Sequence, residues 1–570
     1  MYRIVLKLLS VMSLFCLVQG VVEAEEPEIS EAILKVCGVT DIESLDAERV
    51  EYLSDLIRHP VRINSAGKSQ LEATGLFTPY QIVSLMDYIS RHGGVFSSVE
   101  LSEVDGFGRE VIETIYPFLD FDGAHTGTAG RIDRFRGEAN VRGGYKSRTD
   151  RSETKSMYGL KSRFSFSDRI VLSFSLTEPY DSTRHWPTLY SGNILWNHSY
   201  GKVIVGDFNA RFGQGLCMWN TASFSSLTSP SYFMRRPSGL SATNSFTGSS
   251  ALTGLASDFV FHKWKVSAFI SLPGIKKVAS MPDDLMLAPA FNVSRFGKSG
   301  HISLTHSMTF SDVFSQSYRI PTMISSFDAS LCICGVNVFC ETAYDWVEVR
   351  ASCLAGCEFR PSEKMTMAAQ ARYLPLSNEH ALACAGEYSG RKHVMTFSAE
   401  GKYHPEGKSK GNTESYQLKG QFDWKWLPLT CVEVKIKLSE RFRTWGVKYL
   451  TKFRTDVRYI SPRWNATMRL DAVEGVEFAC SGYMEAGYTG TSLSAYARLG
   501  CYMVDNWDDR IYVYERDAPG NFNVPALYGR GFWTSMYLSW KFAGWGRLYL
   551  SGIYKKPGNA ELKLQCALHF

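Results

Sequence analysis

The chain closes on Ala560-Glu561-Leu562-Lys563-Leu564-Gln565-Cys566-Ala567-Leu568-His569-Phe570. Every second position from Ala560 through Leu562, Leu564, Cys566 and Leu568 to Phe570 is apolar, and Glu561, Lys563, Gln565 and His569 stand between them. A period of two puts the two sets on opposite faces of a strand. An edge strand of a soluble sandwich can produce this pattern. A strand of about 9–11 residues that stops on a terminal aromatic fits a transmembrane β-barrel better.

The same alternation runs back through most of the chain. Tyr416, Leu418, Phe422, Trp424 and Trp426 oppose Gln417, Lys419, Gln421, Asp423 and Lys425. Val432, Val434, Ile436 and Leu438 oppose Glu433, Lys435 and Lys437. Parity alone does not separate an apolar core from an apolar exterior. The length of the run without a helix, the aromatic residues near strand ends (Tyr403, Trp424, Trp426, Tyr459) and the terminal Phe570 favour the membrane barrel. Spacing of about 18 residues per strand over 134–570 gives about 22–26 strands, within the range of such barrels. The expected fold is therefore mainly β: a large transmembrane antiparallel barrel preceded by a small all-α domain. Segments 180–191, 213–246, 273–295, 405–414 and 505–533 read as the longer loops, most of them extracellular.

Residues 1–24 read as a secretory signal peptide, with Arg3 and Lys7 before the apolar run from Leu8 to Val18 and small residues before the cut. The protein is then exported, and any membrane span is made of strands. Residues 25–125 carry nineteen Asp and Glu against seven Lys and Arg, a net of −12, whereas 126–570 hold +16. The acidic part has helix-period apolar runs such as Val50, Leu53, Leu56 and Ile57, so it is expected as a periplasmic helical domain over 25–122. A small, glycine-bearing linker over 123–133 would join it to the barrel at 134, from which it would hang beneath the strands.

Asn64-Ser65-Ala66, Leu71, Ile82 to Tyr88, Gly93-Gly94-Val95-Phe96, Ser98-Val99-Glu100-Leu101 and Val104-Asp105-Gly106-Phe107-Gly108 carry a resemblance over 62–119 to a tandem helix-hairpin-helix domain of the ComEA type. The resemblance implies a turn, Gly106-Phe107-Gly108 with Arg109, whose backbone amides can meet a DNA phosphate or dock a partner. The first hairpin, Gly75-Leu76-Phe77, has phenylalanine where the family has its second glycine. Together with Val205-Gly206-Asp207-Phe208 through Leu216, Ile511 to Glu515, and Tyr528-Gly529-Arg530-Gly531, the chain resembles outer-membrane barrel proteins of Bacteroidota-type bacteria. That likeness implies outer-membrane location and architecture, but no activity.

No nucleophile elbow, Walker loop, HExxH or metal-spaced histidine cluster occurs, so no catalytic residue, metal site or cofactor is expected. The chemistry lies in charge. Lys435, Lys437, Lys448, Lys452, Arg454, Arg458, Arg463 and Arg469 share the expected lumen parity, a cationic wall against Glu433, Asp456 and Asp471. Such a wall either favours anions in a pore or holds the acidic domain. The expected function is an outer-membrane channel or a transport or assembly component with the helical domain as plug or docking module. The alternatives are a DNA-uptake component and, more remotely, a barrel-embedded lipid-modifying enzyme. Expected partners are outer-membrane lipid, the barrel assembly machinery and a periplasmic or outer-membrane protein, with nucleic acid as the alternative. Leu562, Leu564, Leu568 and Phe570 are the expected assembly signal.

Overall fold

The computed structural model describes residues 31–37, 39, 41–121, 135–148, 153–166, 169–180, 187–220, 228–246, 251–272, 286–297, 299–311, 319–408, 414–556 and 558–570. The expected signal peptide and linker lie outside the described residues.

Twenty-four antiparallel strands close into a barrel, from Phe135–Arg148 to Asn559–His569, which pair with each other at the seam. The wall follows from alternation. On the last strand Leu562 and Leu564 are exposed outward while Gln565 and Ala567 are buried inside. Large apolar side chains dominate the outward face, as in a lipid-facing wall. Aromatic residues form two girdles: Trp196, Trp264, Trp426, Tyr459, Trp464 and Trp540 near one rim, and Tyr145, Tyr190, Tyr373, Tyr449 and Tyr554 near the other. The chain therefore crosses a membrane with strands, as its parity predicts.

One rim carries tight turns. At Cys334 and Gly335 both residues take positive φ, 50° and 79°, as a two-residue type I′ hairpin requires. The strand ends that the longer connections join, at Arg211 and Leu252, Ser271 and Ala288, and Val504 and Gly529, lie at the opposite rim. The expected loop over 273–295 is shorter than read, because its last residues belong to the strand Ala288–Gly297.

Two of these connections fold into the lumen. The strand Gly201–Arg211 pairs with both neighbours as far as Gly206 and is buried from Asp207 onward. Gly206 has φ +107°, and a Cβ there would collide with the Gly192 carbonyl oxygen. Asp207 fills the parting, accepting from Ser191 Oγ (2.6 Å), Gly192 N (2.9 Å) and Thr253 Oγ1 (2.6 Å). Beyond it, the amides of Gln214, Leu216 and Cys217 wrap the Glu341 carboxylate at 2.7, 3.0 and 3.3 Å. The second connection is pinned by Asp517, which takes Lys563 Nζ at 2.6 Å and Ser551 Oγ at 3.0 Å, and by Asn521, which donates to Gln565 at 3.0 Å.

The helical segment comprises α1 (Glu31–Cys37), α2 (Ala47–Arg58), α3 (Lys68–Ala73), α4 (Pro79–His92), α5 (Ser98–Leu101) and α6 (Arg109–Ile115). Local chemistry sets its ends. Thr78 and Gln81 form a capping box ahead of Pro79, and Gly93 ends α4 at φ +85°. Ser97 caps α5 through Glu100 N at 3.2 Å. Asn64 clamps the far end of the segment, exchanging bonds with the Val95 backbone (2.7 and 2.8 Å). Leu53, Ile63, Leu71, Leu76, Leu85, Val95 and Phe118 make a fully enclosed core.

This segment does not hang beneath the barrel. α4 packs on the strands Ala288–Gly297, Gly300–Ser311 and Arg319–Ile333, α3 on Gly201–Arg211 and Leu252–Phe261, and its acidic residues meet strands on the remaining sides. A body touching so much of a closed ring lies within it. Tyr232 and Phe522, one from each inward connection, pack on its apolar core from the long-loop side.

Candidate functional site: an ionic belt between helices and wall

The site begins with spacing on one helix. Glu48, Glu51 and Asp55 recur at three and four residues and so share one face of α2, while Val50 and Leu53 face the core. Asp46 caps the helix by accepting from Glu48 N at 3.0 Å. Glu48 accepts from Asn209 Nδ2 at 3.0 Å, Glu51 from Lys161 Nζ and Ser245 Oγ at 2.7 Å each, and Asp55 from Arg163 Nη1 at 2.8 Å. At the helix end Arg58 reverses the polarity and pairs with Glu138 of the first strand.

The one-turn 3-10 helix Ile42–Ser44 presents a second acidic edge. Asp41 pairs with Lys437 and lies 3.5 Å from Arg454. Glu43 takes Arg454 at 2.8 Å, contacts Arg469, and accepts from Tyr514 N at 3.2 Å. Burial opposes both negative charges. The cations nevertheless win: Lys437 and Arg454 hold Asp41 well below the carboxylate range, and Arg469 and Arg454 hold Glu43 at about 2.

On the opposite side Glu72 of α3 pairs with Lys265, and Ser69 Oγ donates to Asp258 at 2.7 Å. Asp258 also meets Lys202 at 3.2 Å, whose ammonium reaches the Ser69 carbonyl at the same distance. Lys265 and Asp258 are fully enclosed, so this cluster survives burial only because its charges match.

The structure divides the expected cationic wall. Lys437, Arg454 and Arg469 meet the helical segment. Lys435 and Arg458 instead face Glu433, at 3.2 and 3.7 Å. Lys452 is exposed to the lumen. Lys448 and Arg463 are corrections: they sit in the turns at opposite rims, where strand parity no longer applies. Glu138, Lys161, Arg163, Lys202 and Lys265 were missed. Their alternation was legible, but their partners lie far away in sequence.

In the hairpin turn, Phe107 is buried in the helical core and its amide donates to the Val104 carbonyl at 3.0 Å. Gly106, at φ +87°, gives its carbonyl to Gln81 Nε2 at 2.8 Å. Gly108 is the N-cap of α6 and lies beside Arg360 of the wall, and Arg109 opens that helix. In the first hairpin the Leu76 amide donates to Thr74 Oγ1 at 3.1 Å and its carbonyl takes Arg236 at 2.9 Å. The amides of Leu76 and Phe107 are thus spent inside the domain rather than offered to a phosphate. Of the expected assembly residues, Leu562 and Leu564 face outward, Leu568 is half-buried, and the Phe570 ring lies tilted against Phe135 and Phe164, at 6.0 Å from each. Across the seam the Gly137 amide donates to the Phe570 carbonyl and the Phe570 amide to the Gly137 carbonyl, at 2.6 and 2.9 Å.

No family model matches the chain, and no curated protein sequence is similar to it. Among solved structures, the chain is similar to the copper transporter OprC, at 8% identity and TM-score 0.39, covering 77% of this chain and 80% of that one. The siderophore receptor PirA from Pseudomonas aeruginosa gives 7% identity and TM-score 0.40, covering 78% and 81%. The FrpB iron transporter from Neisseria meningitidis gives 8% and 0.36, covering 77% and 82%.

Proposed function

We infer that the chain is an outer-membrane β-barrel that moves or assembles material across that membrane, with residues 31–121 as its plug. The ionic belt carries this reading. Asp41, Glu43, Glu51, Asp55 and Glu72 are matched to Lys437, Arg454, Arg469, Lys161, Arg163 and Lys265 on several sides of the ring. A barrel of this size holds either an aqueous channel or a filled lumen. Buried ion pairs fix position and register but add less net stability than apolar packing of the same volume. That is the contact expected of a filling that must be placed yet can be released.

The helix-hairpin-helix reading of 62–119 belongs to the same proposal, with the two hairpins serving as scaffold. Among the helical residues left exposed, Phe96, Val99 and Tyr116 are apolar and Glu103 and Asp105 are acidic. Such a surface suits docking of a periplasmic protein. Among the described side chains of this segment, exposed Arg91 pairs with Asp87 and no basic cluster supports the DNA-uptake alternative. The test is conductance in planar bilayers. Intact protein should be closed and a variant lacking residues 25–121 open; equal conductance would reject the plug.

A further inference from the structure

One part of the lumen gathers positive side chains, two of which, Arg441 and Lys452, have no ion-pair partner among the described residues. Arg441 stands directly opposite Lys419 in the strand register, a like-charged pair that a sheet normally avoids. On the next strand Lys452 pairs with Ser439 and so lies diagonally from Arg441. The charges acting most strongly on Lys452 are Arg441, Arg454, Lys437 and Arg510, all positive. Arg441 feels Arg443 first and then the exposed Asp508. Among the described residues neither Arg441 nor Lys452 forms an ion pair or a hydrogen bond, and the Arg441 Nε is buried without an acceptor. By contrast, Lys437, Arg454 and Arg469, on the same strands and the next, each meet a carboxylate of the helical segment.

Height along the strands gives direction. Lys437 and Arg454 hold Asp41, and Arg441 and Lys452 lie beyond them toward the long-loop rim. Arg510, on the second inward connection, spends its Nε on Tyr512 Oη (2.7 Å) and its Nη1 on the Trp507 carbonyl (3.0 Å), which steers the guanidinium and leaves its other donors open. Cations that repel one another at close quarters cost stability unless a ligand supplies the opposite charge.

We propose that Arg441, Lys452 and Arg510 form a binding site for a multivalent oxyanion, a phosphate- or polycarboxylate-bearing solute, entering from the long-loop rim. The biological use of the site rests on the conduit reading above; the binding does not. A planar guanidinium pair suits bidentate capture of phosphate or carboxylate oxygens, with the lysine as a mobile point charge.

The experiment uses full-length protein folded in detergent, titrated calorimetrically with inorganic pyrophosphate in one arm and citrate in the other. Saturable binding, weakened about tenfold or more in Arg441→Gln/Lys452→Gln, is the expected result; the stronger arm names the anion class. Thermal unfolding supplies the second readout. Pyrophosphate or citrate should raise the melting temperature of the parent and not of the double variant, while the unliganded variant melts no lower than the parent. Equal affinity in both proteins, or no saturable binding in either arm, overturns the proposal. Conductance measured alongside separates the two ideas. Binding without passage in the plug-deleted protein rejects the conduit and keeps the site; passage without binding does the reverse.

Discussion

Glu43 accepts a hydrogen bond from Arg454 at 2.8 Å although 411 positions of chain separate them. The contact ties the start of the described chain to a strand deep in the second half of the barrel. It is also shared, because Glu43 touches Arg469 and Arg454 reaches Asp41 and Asp471.

Glu43→Gln should therefore loosen the helices without opening the wall. Breaking a buried pair from one side costs about 3–5 kcal/mol, since the partner's charge stays behind. Part of this is recovered here, because Asp41, Asp456 and Asp471 remain beside the two arginines. Trypsin should cut α2 of the folded variant at least about tenfold faster, while the barrel band on a semi-native gel is unchanged. Equal cutting rates would mean that the belt does not retain the segment.

Acid should act on the same contact. Burial disfavours the charged forms, but the cations hold Asp41 and Glu43 below their ordinary values of 3.8 and 4.5. Groups with depressed folded values stabilise fully above the ordinary value and lose that contribution as pH falls through the folded one. Attachment should thus be constant at neutral pH and weaken between pH 4.5 and about 2 for Glu43. Hydrogen exchange of α2 against pH reads this directly; loosening on the alkaline side of pH 5 would contradict it.

Parity at the seam makes opposite predictions for adjacent residues. Leu564→Arg places a charge toward lipid and should cost about 2–4 kcal/mol at the membrane midplane, seen as lost assembly into vesicles. Gln565→Arg should still assemble. It is not silent, however, because Gln565 donates to the Pro519 carbonyl at 2.9 Å and accepts from Asn521. Protease protection of 517–521 should fall. Failure of Gln565→Arg rather than Leu564→Arg would invert the barrel.

The isolated charge of the helical segment predicts a negative result. A gel-shift with full-length protein at low salt should show no retardation of duplex DNA. Salt-sensitive retardation would restore the DNA-uptake alternative.

Alternation in 134–570 was enough to read the barrel, its strand number to within two, and the lipid-facing row on the last strand. It failed where pairing stops. Lys448 and Arg463 continue the parity on paper, but they sit in turns. The inward course of 207–217 hinges on one backbone conformation at Gly206 and on the distant Glu341, neither of which has a periodic signature. Net charge indicated that helices and wall attract each other. It could not show that Glu72 meets Lys265 inside the ring, because that depends on which strand faces which helix after closure.

The seam also orders events in time. Asn559–His569 pairs with Phe135–Arg148, so the ring cannot shut until both of these strands are in place. The segment it encloses is synthesised before any strand. What the ring encloses thus precedes in the chain the strands that enclose it, and closure where Phe570 lies over Gly137 has to leave a strongly acidic passenger inside.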